Sequence, residues 1–204
     1  MHSNPSDLPP TPRTERRIKT LSPWVGLAEI DVFSKGEAED PDVFHALHQP
    51  DYVNVLSVHK NGSVPMVRQF RPVVDRWTWE FAGGLVDEGE SAGVSGAREV
   101  GEETGLKVIG ITKIHEGFAD VGRLTNRLFG YFAIVDGEVT SPEYGVNGKL
   151  VDGVEVRRMA ANGEIALPSN MALLYLASIS PEVGRLADEH DVDISWLRAK
   201  APPG

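Results

Sequence analysis

Residues 83–106, GGLVDEGESAGVSGAREVGEETGL, gather six acids and seven glycines into one short stretch. Within it Glu99, Glu102 and Glu103 fall in about one helical turn, just behind Arg98. On a helix, residues three and four apart share a face, so Glu99 and Glu103 form a repelling i,i+4 pair. Gly93, Gly96 and Gly101 add about 1 kcal/mol each in lost helix propensity. Local terms alone do not favour such a segment. Converging carboxylates suit a hard dication such as Mg²⁺, which binds through few carboxylates and keeps positions for substrate phosphate. A solvated acidic face would explain a glutamate cluster by itself, so the pattern around it has to decide.

The elements that must position this stretch read as follows. Residues 1–20 are polar and proline-punctuated, and are expected as a flexible arm; residues 21–50 form an N-terminal segment with a strand over WVGLAEIDVF (24–33) and an acidic loop, KGEAEDPD (35–42). YVNVLSVHKNGSVPMVRQF (52–70) carries a hairpin signal, two β-rich runs around Asn61-Gly62. WTWEF (77–81) is a further strand. From Ser91 to Thr104 the period changes. Val94, Ala97, Val100 and Thr104 recur every three to four residues as an apolar stripe, and Gly105 is the expected stop. Strands are expected near 107–117, 127–136 and 153–158, then helices over 170–180 and 181–190 and a tail over 193–204. Strands mixed with a few helices indicate one α/β (α+β) domain over residues 51–192.

Bulk properties narrow the partners. Thirty acids against twenty Lys and Arg give a net charge of −10, which opposes stable binding to nucleic acid or to an anionic membrane. A polyanionic ligand would need positive charge brought to it locally. With no cysteine there is no thiol nucleophile, disulfide framework or zinc thiolate site. The start of the chain lacks the apolar run of a signal peptide, and a cytoplasmic location is expected.

Counted out, Gly84 is followed by five residues and Glu90, then seven residues and Arg98-Glu99-Val100. One residue later come Glu102-Glu103, and after one more Gly105-Leu106. This resembles the Nudix box, with every fixed position filled. The resemblance implies a Nudix α/β/α sandwich with a mixed β-sheet, holding Mg²⁺ or Mn²⁺ on this loop–helix–loop. By position, Glu99 and Glu103 are the principal metal ligands and Glu102 is a further ligand or water partner. Arg98 orients the carboxylates, and Glu90 supports the loop. The chemistry implied is hydrolysis of a nucleoside diphosphate linked to another moiety.

VPMVRQFRP followed by WEFAGGLVDEGES is similar to the ADP-ribose and nucleoside-diphosphate-sugar branch of that family. The likeness implies that Arg71 grips a phosphate, as a planar guanidinium can do with two donors. It also implies that Glu80 lies by the metals and substrate, and that the Gly83 carbonyl is an additional metal ligand. Arg68 falls on the other side of the strand period from Arg71 and reads as solvated. SPWVGL (22–27) resembles the segment that, in dimeric members, stacks an aromatic on the nucleobase, which points to Trp24; ordinary core or dimer packing explains Trp24 equally well. A homodimer is therefore expected. Trp77 and Trp79 read as packing.

Branch members often have a proline about sixteen residues past the box, where this chain has Val121-Gly122. The same loop offers Arg123 and Arg127 as grips on phosphate or sugar, or as solvated arginines. For the general base, the loop SPEYGVNGKLVDG offers Glu143 and Asp152. Asp152 aligns better by its distance from the expected strand at 154–159, and Glu143 has the commoner residue type. Two alternatives stand beside a diphosphate-sugar pyrophosphatase: a nucleoside triphosphate or capped-RNA pyrophosphohydrolase, and a non-catalytic nucleotide sensor. The intact box carboxylates count against the second.

Overall fold

The structure is a computed structural model that describes residues 11–33, 40–140 and 142–198. The first ten residues of the expected arm, most of the 35–42 loop and the last six residues of the tail lie outside them. The chain divides into two units. One comprises residues 1–50 with 120–126, and the other residues 51–119 with 127–204.

The first unit is a three-stranded antiparallel sheet of β1 (Arg13–Thr20), β2 (Gly26–Phe33) and β3 (Asp42–His48), in that order. Part of the expected arm is thus β1. It is exposed at every residue, so no hydrophobic alternation marks it. Its order comes from the ladder to β2 and from the ion pair between Arg17 and Asp31. The segment 120–126 is tied to β3: the Leu47 amide donates to the Arg123 carbonyl at 2.8 Å, and the His48 Nδ1 lies 2.9 Å from the Thr125 hydroxyl.

The second unit holds two sheets. The larger is mixed, in the order β7 (Ala82–Leu85), β4 (Tyr52–His59), β9 (Leu128–Asp136) and β8 (Lys107–Gly117), with β4 and β9 parallel and the other pairs antiparallel. The smaller is antiparallel: β10 (Val146–Val151), β5 (Val64–Arg71) and β6 (Arg76–Glu80). Alternation along β4 splits its side chains between two apolar clusters. Val53 and Val55 pack with Ala92, Val100 and Leu106 around α1 (Ala92–Thr104). Leu56 and Val58 pack with Leu173, Ala177 and Val183, which come from α3 (Pro168–Ile179) and α4 (Pro181–Glu189). This is the layered α/β/α arrangement, helices on both faces of a mixed sheet.

Four further readings of the sequence change. The 52–70 hairpin has its turn, with the Gly62 amide donating to the His59 carbonyl at 2.7 Å, but β4 and β5 part into different sheets. Continuous burial along β4 and the first half of β5 favours two sheets over one two-stranded ribbon. The strand expected at 153–158 is instead α2 (Gly153–Ala161), capped by Asp152, whose side chain accepts the Val154 amide at 2.8 Å. The expected tail contains α5 (Ser195–Arg198), which buries Trp196 and Leu197. Trp196 lies flat on Gly153, where any Cβ would come within 2.2 Å of its ring.

The fourth change concerns α1, which is rotated from the expected stripe. Its buried residues are Ala92, Ser95, Gly96, Val100, Glu103 and Thr104, while Val94 is 57% exposed. Gly96 decides the rotation: a Cβ there would meet Val55 at 2.9 Å and Val53 at 3.1 Å. Small residues let the helix approach the sheet closely, and that approach carries Glu103 inward.

Candidate active site

The helix α1 begins at Ser91, whose hydroxyl accepts the Val94 amide, and ends at Gly105 in the left-handed conformation (φ 76°). In the last turn, Glu103 is 4% exposed, and its Oε2 accepts the Gly83 amide at 3.0 Å. Burial pushes its carboxyl up to about 8, opposed by the Gly83 amide and assisted by the charges of Glu143 and Glu99. Burial likewise raises Glu99, with Arg98 working against it. Glu99 presses onto the backbone of β7, since a Cβ on Gly84 would lie 2.4 Å from its carboxyl carbon. Glycine at 84 is therefore a steric requirement of the carboxylate.

Arg98 is the hub that separates the acids. Its Nη1 donates to Glu99 at 3.0 Å and Glu102 at 2.8 Å, its Nε lies 3.5 Å from Glu90, and its Nη2 lies 3.2 Å from Asp87. Glu90 also accepts the Ser95 hydroxyl at 2.7 Å. Among the described residues no three acidic or histidine side chains converge as a ready-made metal cluster, because Glu102 is turned to Arg98 and the remaining donor is a backbone carbonyl. The set nonetheless fits a hard dication. Two partly or wholly buried carboxylates with raised proton affinity lie along β7, Glu103 on the Gly83 amide and Glu99 against Gly84, and with the Gly83 carbonyl they offer oxygen donors only. That carbonyl accepts the Tyr52 hydroxyl at 3.1 Å, which leaves it a second lone pair.

A second cluster adjoins the first through Tyr52. Glu80 is 1% exposed and is held by Arg71 in a two-pronged pair of 2.8 and 2.5 Å, with the Thr78 hydroxyl donating to it at 2.5 Å. Burial raises the Tyr52 hydroxyl to about 12, and the charges of Arg71, Glu103 and Glu80 all act on it. Tyr52 and Thr78 carried no signal in the sequence, and Gln69, whose amide lies 3.5 Å from Glu103, entered it only as part of the segment that leads to Arg71. Only the pairing of β4 with β7 brings Tyr52 to Gly83.

The Nudix domain profile matches residues 48–168, more than half of the chain. The chain belongs to the Nudix family. An ADP-ribose pyrophosphatase of Mycobacterium tuberculosis is 26% identical over 151 residues, covering 71% of this chain and 72% of that protein. A Bacillus subtilis ADP-ribose pyrophosphatase is 38% identical over 76 residues, covering 35% of this chain and 41% of that one. An RNA pyrophosphohydrolase of Caulobacter vibrioides is 36% identical over 74 residues, 36% and 42% of the two chains. The chain thus spans less than half the length of the latter two. A crystal structure of an ADP compounds hydrolase superposes with a TM-score of 0.68 at 16% identity, covering 84% of this chain and 94% of that one; it establishes the shared fold. Nudix hydrolases as a class use divalent metal ions.

On this Nudix scaffold the other expected site residues are placed variously. Glu143 lies close enough that its charge raises both Glu99 and Glu103. Asp152 is committed to capping α2, and the alignment that favoured it assumed a strand where α2 stands. Arg127 is occupied by Asp51 at 3.2 Å and Glu116 at 3.1 Å, with its guanidinium 5.1 Å from the Phe129 ring centroid. Arg123 and Trp24 belong to the first unit, where Trp24 is 63% exposed. Arg68 is not simply solvated, for it lies 5.5 and 5.7 Å from the ring centroids of Trp77 and Trp79.

Arg71 carries a prediction that the sequence did not suggest. Because Glu80 is buried, Arg71→Ala would strand an uncompensated carboxylate, a change that costs about 3 kcal/mol or more. Arg71→Lys restores the charge without the fork, so it recovers stability only in part and leaves substrate binding weak. Urea unfolding midpoints, read beside KM, check this. An Arg71→Ala protein as stable as the wild type would show that Glu80 does not depend on it.

Proposed function

We propose that this chain is a Mg²⁺-dependent pyrophosphatase that hydrolyses ADP-ribose or a related nucleoside diphosphate sugar to a nucleoside monophosphate and a sugar phosphate. The observation that carries the proposal is the buried Glu103, bonded to the Gly83 amide one helical turn from Glu99, with the Arg71–Glu80 pair adjoining. The ADP-ribose pyrophosphatases among its relatives support the choice of substrate.

In this reading Glu99, Glu103 and the Gly83 carbonyl would hold the dication, and Glu102 would join them on leaving Arg98. When bound, the dication neutralises diphosphate oxygens and makes water a stronger acid. Arg98 keeps the carboxylates apart and aimed until then. The wet outer edge of Arg71 binds a substrate phosphate while its inner edge stays on Glu80. Water adds to one phosphorus, the bridging P–O bond breaks, and the Glu143 carboxylate takes the proton. Arg127 stays paired with Asp51 and Glu116. The protein acts in the cytoplasm as a homodimer, and the exposed Trp24 serves either the subunit contact or a stacked base.

The test is a panel of ADP-ribose, other nucleoside diphosphate sugars, nucleoside triphosphates and capped RNA with Mg²⁺, with release read through a coupled phosphatase. Preferred turnover of a diphosphate sugar is the expected outcome. Preferred turnover of a triphosphate or cap would replace the substrate class. No turnover of any compound would leave a binding protein.

A further inference from the structure

The Gly83 carbonyl, a donor to the dication in the hydrolysis proposed, is gripped by a side chain to which that reading gives no role. Its strand, β7, is four residues long and lies at an edge of the large sheet, beside β4. Gly83 stands opposite Asn54, and further along the ladder the Val86 amide donates to the Asp51 carbonyl at 2.8 Å. Bonded and non-bonded pairs alternate in an antiparallel ladder, so Gly83 turns both of its backbone groups away from β4. The amide goes to Glu103 at 3.0 Å, and the carbonyl accepts the Tyr52 hydroxyl at 3.1 Å. No side chain fits at 83, where a Cβ would lie 2.4 Å from the Val53 carbonyl oxygen and 2.6 Å from the Asn54 Oδ1. Two consecutive glycines on an edge strand make a backbone that tilts easily. The direction of this carbonyl therefore depends on what grips it.

Tyr52 is itself firmly placed. It lies on β4 between Leu85 of β7 and Leu128 of β9, and its amide donates to the Arg127 carbonyl at 2.9 Å. Its ring runs diagonally over the ladder, from the position opposite Leu85 to the carbonyl two residues away, a reach that aromatic side chains have. At the far end Arg71 lies within hydrogen-bonding reach of the phenol oxygen. Arg71 is in turn forked onto the buried Glu80 at 2.8 and 2.5 Å.

A guanidinium can only donate. With Arg71 facing the phenol oxygen, the phenol hydrogen is left to the Gly83 carbonyl. That hydrogen bond takes one of the two carbonyl lone pairs and fixes the direction of the other.

We propose that Tyr52 is a positioning residue, which fixes the aim of the Gly83 carbonyl and so makes the seat prefer a small dication of strict geometry to a larger one; this rests on the metal seat of the proposed hydrolysis. Mg²⁺ demands a near-ideal octahedron with donors at about 2.0–2.1 Å, whereas Ca²⁺ takes about six to eight oxygens at about 2.3–2.6 Å in looser arrangements. A carbonyl free to tilt by a few tenths of an ångström therefore weakens Mg²⁺ more than Ca²⁺.

Tyr52→Phe keeps the ring and removes the hydroxyl. Metal-free protein is titrated with Mn²⁺, free Mn²⁺ is read by its electron paramagnetic resonance, and displacement then gives the affinities for Mg²⁺ and Ca²⁺. In the variant Mg²⁺ should bind about tenfold more weakly, the scale of one hydrogen bond. Ca²⁺ should weaken by less than about threefold, because it tolerates a displaced donor. An equal loss for both ions would mean that Tyr52 only supports the fold, and unchanged Mg²⁺ affinity would mean that it does not aim the carbonyl. Either result overturns the proposal. Glu103→Gln, titrated alongside, separates this role from the seat itself. If Glu103→Gln loses Mn²⁺ while Tyr52→Phe keeps its Mg²⁺ affinity, the seat stands and the role of Tyr52 falls. If the wild type takes up no Mn²⁺, or Glu103→Gln retains it, the seat falls and the proposal with it.

Discussion

Glu103→Gln should abolish hydrolysis and make the metal-free protein more stable. The two effects have one cause. The Glu103 carboxyl ordinarily titrates at 4.5 and is pushed up to about 8 by burial, with Glu143 and Glu99 adding to the effect. The folded protein therefore keeps a proton that the unfolded chain gives up. The stabilisation from that proton is fully present below pH 4.5 and is lost as pH rises through 8. In the absence of metal, the unfolding temperature should fall across this window. Glutamine carries no charge to desolvate and still offers an oxygen to the Gly83 amide. The variant should gain on the order of 2 kcal/mol near pH 8, roughly 5 °C for a chain of this size, with a flatter pH profile. Excess Mg²⁺ should raise the melting temperature of the wild type by linkage and leave the variant unmoved. Turnover should fall by about a thousandfold, the scale of several kcal/mol of lost charge stabilisation. Near-normal activity in Glu103→Gln would remove this helix as the metal seat.

Glu143→Gln should slow turnover by about 10²–10⁴-fold with KM little changed, the range for removal of a general base. Its charge already bears on Glu99 and Glu103, and a loop carboxylate needs only to swing into hydrogen-bond reach of the water when substrate binds. Asp152→Asn should do almost nothing, because asparagine caps a helix as well as aspartate. Asp152→Ala should cost about 1 kcal/mol of stability without a matching loss of kcat. This order reverses the one that alignment by distance suggested, since that distance was measured to α2. Wild-type rates in Glu143→Gln would place the proton transfer on a box glutamate, with Glu102 the first to test.

The acidic helix was legible in the sequence because its signal is local: one helical turn separates Glu99 from Glu103, and Gly105 stops the helix where expected. What the sequence hid depends on long-range pairing. The inward turn of Glu103 follows from the contact of Gly96 with Val53 and Val55, some forty residues upstream. The hold of Arg71 on Glu80 is invisible until β5 and β6 pair. VEVRRM alternates like a strand, yet Asp152 as cap and the packing of Trp196 on Gly153 make it a helix. β1 had no apolar period to read, since all eight residues are exposed.

The parallel pairing of β4 with β9 bears on the order in which the protein is made. Tyr52 pairs with Leu128, 76 positions later (128 − 52), and α1 lies inside that span. Ends so far apart are slow to meet, because loop-closure entropy must be met before the contact stabilises anything. The glycine-rich helix has little stability of its own and depends on Val53, Val55 and the β9 residues Phe129, Ala133 and Val135 of its cluster. A nascent chain therefore cannot gather its acidic side chains until β9 has left the ribosome. During refolding, pulse-labelled hydrogen exchange should show α1 amides becoming protected together with those of β9. Protection of α1 well ahead of β9 would mean that the helix forms on local terms after all.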